Sequence, residues 1–110
     1  MMRLLPIALV LSLALAVAAP AVAKTRGVKI GDNYFVRASG VPVVTVKKGT
    51  TVRWNWTGKH FHNVVGSGPA SFQSSVKKSG HYAKKLTKAG TYTVFCSIHA
   101  GMKMKIKVKK

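Results

Sequence analysis

The chain closes on TYTVFCSIHAGMKMKIKVK, residues 91–109, and this stretch decides the fold. Thr91-Tyr92-Thr93-Val94-Phe95 is a β-branched and aromatic run that reads as a buried strand. Met104, Ile106 and Val108 alternate with Lys103, Lys105, Lys107 and Lys109, the period of two that a strand with one buried face requires. Between the two runs lies a turn, Cys96 to Met102, in which Gly101 permits a tight bend.

The same grammar continues toward the N-terminus. Short runs rich in Val, Thr and aromatics are separated by Gly, Pro, Ser and Asn, and no useful length has helical periodicity. Val28 to Ile30, Tyr34 to Ala38 and Val43 to Val46 are expected strands. After the turn Lys47-Lys48-Gly49-Thr50, the run Thr51 to Trp56 alternates, with Val52, Trp54 and Trp56 on one face. His62 to Val65 is a further short strand, followed by a polar loop from Gly66 to Ser75. His81 to Leu86 and Thr91 to Phe95 are expected to form a hairpin around Thr87-Lys88-Ala89-Gly90. The fold class is all-β, a sandwich.

The turn carries chemistry. Cys96, His99 and Met102 offer a soft thiolate, an imidazole and a thioether within seven residues. Thiolate and thioether suit Cu(I), imidazole suits both copper oxidation states, and two His, one Cys and a weak axial Met are the ligands of a blue-copper site. Zinc normally takes four strong ligands, and a thioether is a poor fourth. A C-x-x-H pair alone is a weak signal, since a lone buried Cys is usually an inert hydrophobe. The second imidazole must come from elsewhere. His62 leads, but His60 is its alternate neighbour and would face the same way in a strand. The axial thioether has two candidates as well, because Met102 and Met104 are in phase. His81, at the start of a strand, has no partner motif and is read as structural.

Residues 1–23 are set aside as a signal peptide. Arg3 gives a positive start, Leu4 to Ala19 an apolar stretch, and Ala21-Val22-Ala23 a small-x-small cleavage site. The stretch is short for a membrane span and lacks a stop-transfer flank. Export to the periplasm is expected, with a single domain over residues 24–110. A single Cys cannot form a disulfide within the chain, and an odd Cys in an exported protein is a thiol that needs explaining. A metal bond explains it.

Lys and Arg number 19 against one acid, Asp32, a formal net charge of +18. Such a field steers an anionic partner, here an acidic protein or an anionic surface. It is also what a solvated basic coat looks like. Nucleic acid is a poor partner for an exported chain. With Asp32 as the only carboxylate side chain, no acid–base pair is present to run an enzyme reaction.

From Val41 to Lys110 the sequence resembles the small cupredoxins, the group of plastocyanin, pseudoazurin and amicyanin. The approach strand Val46 to Trp54, the segment His62-Asn63-Val64 and the Tyr92 to Val108 ending carry the match. The resemblance implies a Greek-key β-sandwich of about eight strands with one copper ion near one end, cycling between Cu(I) and Cu(II). It implies His62, Cys96, His99 and an axial Met as ligands. Met102 gives the short loop of amicyanin, and Met104 the longer spacing of plastocyanin and pseudoazurin; Met102 is preferred, because Met104 begins the alternating strand. Asn63 and Ser97 are implied to tie the two ligand loops together, which favours His62 over His60. The chain departs from the group at Ile98, where a Pro commonly sits. An Ile98 amide is therefore expected to reach the Cys96 sulfur.

The implied function is single-electron transfer between acidic redox partners such as a cytochrome, a dehydrogenase or a reductase. The expected state is a monomer with no membrane span once the leader is removed. A copper carrier delivering the ion to a cuproenzyme would use the same residues. A basic β-domain that binds an anionic surface without metal is a third reading. A binuclear copper centre is excluded, since it requires two Cys.

Overall fold

A computed structural model describes residues 24–110; the expected signal peptide, residues 1–23, lies outside them. Nine strands run in chain order: β1 Thr25–Gly31, β2 Tyr34–Phe35, β3 Val43–Lys47, β4 Thr51–Trp56, β5 Val65–Ser67, β6 Phe72–Gln73, β7 Gly80–Lys85, β8 Gly90–Phe95 and β9 Lys103–Lys109. One sheet has the order β2-β1-β4-β7 and the other β3-β9-β8-β5-β6. No helix occurs among the described residues. β1 and β4 pair in parallel, as do β3 and β9, while β4–β7 and β8–β9 are antiparallel. Parallel neighbours cannot be joined by a tight turn, so the chain crosses between sheets in Greek-key fashion.

Alternation along the strands builds the core. Val28, Ile30, Val52, Trp54 and Trp56 point inward from the first sheet. Val44, Val46, Val94, Met104, Ile106 and Val108 meet them from the second. Lys103, Lys105, Lys107 and Lys109 of β9 stay exposed between buried neighbours, as a strand buried on one face demands.

Four expectations need correction. The strands around residues 87–90 do not form a hairpin: β7 pairs with β4, whereas β8 pairs with β9 and β5. Buried Leu86 directs the chain across the sandwich. Its N–H donates to the Thr50 carbonyl at 2.9 Å and its carbonyl accepts from Gly49 N–H at 2.7 Å. The strand expected over Tyr34 to Ala38 stops at Phe35, because Val36 has φ 68°. That left-handed value is incompatible with a continuing strand. The loop from Gly66 to Ser75 holds the short antiparallel pair β5–β6, with Gly66 opposite Phe72. Correspondingly, the strand expected over His62 to Val65 begins only at Val65; His62 instead makes an isolated antiparallel bridge to Lys77.

Candidate metal centre

The segment 57–64 follows β4, and the segment 96–102 joins β8 to β9. The first crosses from one sheet to the other and the second joins neighbouring strands of the second sheet, and side chains tie them together. Asn63 Nδ2 donates to Ser97 Oγ at 2.8 Å, and Ser97 N–H donates to Asn63 Oδ1 at 2.8 Å. This reciprocal pair holds the two segments in one register.

His62 is fixed by its backbone. Its N–H donates to the Lys77 carbonyl at 3.0 Å, and its carbonyl accepts from Lys77 N–H at 3.0 Å and from Trp56 Nε1 at 3.2 Å. The side chain is 1% exposed. Its Nε2 lies 3.3 Å from Asp32 Oδ1, and its Nδ1 is buried without any partner. His99 sits in the second segment with its ring centroid 4.8 Å from that of His62. Its Nε2 is 3.0 Å from the Phe61 carbonyl.

These contacts assign the ring protons. A carbonyl and an ionised carboxylate only accept. Each histidine therefore carries hydrogen on Nε2 and a lone pair on Nδ1, an assignment made from the hydrogen-bond network. A lone pair buried without a donor is costly. The His62 lone pair, buried beside a second imidazole, is what a metal ion satisfies.

Cys96 is buried and unpaired by disulfide. Its N–H donates to the Met102 carbonyl at 3.0 Å, and Met102 N–H donates to the His99 carbonyl at 3.2 Å. The loop is thus closed on itself, with Gly101 at φ 81°, a value glycine adopts without strain. Met102 is buried in the loop, while Met104 is fully buried in β9 opposite Val94. Among the described residues no three His, Cys, Asp or Glu side chains form a metal-holding group by themselves. Two such donors, His62 and His99, lie together, and Cys96 and Met102 belong to the closed loop that carries His99. In softness and number this set fits copper.

The structure separates the other histidines from this assembly. His60 is 58% exposed, with Nδ1 3.2 Å from Asn33 Oδ1. His81 is exposed in β7. The expected contact from the Ile98 amide to the Cys96 sulfur is not among the hydrogen bonds of the described residues; the Ile98 side chain turns outward, 48% exposed. Two residues next to the histidines escaped the sequence reading. Phe61, 54% exposed, lends its carbonyl to His99. Asp32 meets His62. Backbone N–H groups of Lys59 and then His60 hold the Asp32 carboxyl well below the usual carboxylate range. Its solitude in so basic a chain was the available signal.

Removing the tie between the segments should weaken the centre. Asn63→Ala deletes both 2.8 Å bonds to Ser97, and loss of such an outer partner typically costs about 10–100-fold in metal affinity. Competition with a copper chelator measures it; unchanged affinity would show the tie to be incidental.

A β-sandwich bearing imidazole, thiolate and thioether donors where two cross-tied loops meet defines a cupredoxin, a blue-copper protein. The family model for copper binding proteins of the plastocyanin/azurin family matches residues 27–109, and the chain belongs to that family. One copper ion cycling between Cu(I) and Cu(II) is its cofactor, and copper-based electron transfer is its general function. Among solved structures, a reduced tryptophan-to-tyrosine variant of amicyanin is 27% identical with TM-score 0.64, covering 84% of this chain and 89% of that one. A methionine-to-glutamine variant of amicyanin in its Cu(I) form is also 27% identical with TM-score 0.64, over 77% and 82%. The Cu-containing nitrite reductase of Thermus scotoductus SA-01 is 26% identical with TM-score 0.64. It is matched over 80% of this chain but 22% of its own, so this chain spans about a fifth of that enzyme's length. No curated protein matches the sequence.

Proposed function

We propose that the protein is a periplasmic carrier of single electrons in which His62, Cys96, His99 and Met102 hold the copper. The observation that carries this reading is the pair of imidazoles, centroids 4.8 Å apart, each fastened through Nε2 and each left with a free Nδ1. Bound copper would supply a one-electron couple. The protein's part is rigidity: backbone bonds clamp His62, and the Asn63–Ser97 pair fixes the second loop against the first. Little then has to move when the charge changes. Met102 is favoured over Met104 as the axial donor, because Met104 fills the core opposite Val94.

His99 is the more exposed imidazole, flanked by Phe61, Ile98 and Ala100. That apolar rim can approach a partner closely, while Lys78, over the Phe61 ring, and Lys103, beside the His99 loop, orient an acidic one. The partners proposed are acidic redox proteins, met by a monomer. The copper-carrier alternative gains nothing from Met104, since a methionine fully buried in the core is no exchange ligand. The absorption spectrum of the copper-loaded protein tests the reading. An intense visible thiolate-to-Cu(II) band is expected, and a colourless Cu(II) adduct would overturn it.

A further inference from the structure

We propose that Asp32 is the positioning residue of His62: its carboxylate holds the imidazole by Nε2, turns Nδ1 to the copper, and places a negative charge that favours Cu(II). The inference rests on His62 being a copper ligand. It begins with an oddity of charge. The chain has 19 Lys and Arg and one acidic side chain. A lone carboxylate in such a field would be expected to pair with one of those cations. Instead, among the described residues, no Lys or Arg side chain pairs with it, and the side chains it meets are the imidazoles of His62 at 3.3 Å and His60 at 3.8 Å.

The carboxylate is seated, not merely nearby. Asp32 stands in the turn between β1 and β2 and reaches across to the segment after β4. Lys59 N–H donates to both of its oxygens, at 3.0 and 2.8 Å, and His60 N–H donates to Oδ1 at 3.0 Å. The seat exists because residue 58 is glycine: a Cβ there would collide with the Asp32 carboxyl group. On the far side His60 is drawn off by Asn33, 3.2 Å away. Oδ1 is thereby left facing His62 Nε2.

The consequence follows from the donor inventory. An ionised carboxylate offers no hydrogen, so His62 must supply one from Nε2, and the lone pair falls to Nδ1. A carboxylate behind a ligating imidazole fixes its tautomer and raises its basicity as a donor. Its charge also stabilises the more positive oxidation state, so it lowers the reduction potential.

Two variants divide the roles. Asp32→Asn keeps an oxygen for Nε2–H and removes the charge. It should leave the tautomer in place and shift the Cu(I)/Cu(II) affinity ratio about tenfold toward Cu(I), a rise of about 59 mV for one electron. Asp32→Ala removes both. In the metal-free protein, nitrogen-15 NMR should then show His62 passing from the Nε2–H form to a mixture of tautomers. Gly58→Ala, which evicts the carboxylate without deleting it, should reproduce that mixture; it serves where Asp32→Ala fails to fold. A merely structural Asp32 would lower thermal stability and move neither the tautomer nor the potential, and that result would overturn the proposal. So would an Nδ1–H His62 in the unaltered metal-free protein. A visible band that survives His62→Ala would instead refute the ligand assignment, and the metal-free NMR result would stand apart from it.

Discussion

Cys96→Ser is expected to give a folded protein with no intense visible band and no reversible copper couple. Softness decides the outcome. Thiolate is the donor that both stabilises Cu(I) and gives Cu(II) its strong charge-transfer absorption, and a serine hydroxyl does neither. The loss should exceed the roughly 10–100-fold that removing an outer-shell partner costs. Folding should survive, because the exchange is nearly isosteric. The added burden is one buried hydroxyl, about 1–3 kcal/mol if it finds no partner, and a backbone carbonyl lies within the same closed loop. Circular dichroism checks the fold, and visible absorption with voltammetry checks the copper. A blue variant would mean that Cys96 is a core hydrophobe. Binding to an anionic surface that persists unchanged in the variant would show that the basic coat acts independently of the metal.

The sequence exposed the parts of this molecule that are local. In β9, methionine, isoleucine and valine alternate with lysine, so strand, buried face and exposed face could all be read before any contact was known. The 96–102 loop was legible because its donor types rarely coincide without a metal. What escaped depends on partners distant in the chain. β7 and β8 have the residue pattern of a hairpin, and only the pairing of β7 with β4 and of β8 with β9 and β5 shows the connection passing between sheets. A hairpin and an arch use the same local residues. Asp32 escaped for a related reason: its meaning lies 30 positions away at His62, beside a glycine whose role is to leave room. Val36 was read as strand because valine is a strand former, yet its φ of 68° is set by the turn it completes.

Trp54→Ala should be the most destabilising single change in the sandwich. Trp54 lies in the middle of β4, with Val28 of β1 beside it on one hand and Tyr82 of β7 on the other. Its ring is fully buried, 5.7 Å from Phe72 and 5.8 Å from Tyr82 between centroids. Phe72 and Tyr92 are in turn 6.2 Å apart, so the indole anchors an aromatic layer spanning both sheets. Truncation leaves a cavity that four surrounding strands cannot close, and such changes cost about 3–5 kcal/mol. Small domains hold only about 5–15 kcal/mol in total. A fall in melting temperature on the order of 20 °C follows, at about 4–8 °C per kcal/mol. The metal-free protein should be used, because copper binding would raise apparent stability by mass action. Trp54→Phe is the control. The indole N–H is buried without a partner, so phenylalanine sheds an unsatisfied donor while keeping an aromatic ring against Phe72. Its cost should stay below about 1.5 kcal/mol. Urea unfolding of both variants decides the matter: a loss below about 1.5 kcal/mol for Trp54→Ala would mean that the sheets are held together elsewhere.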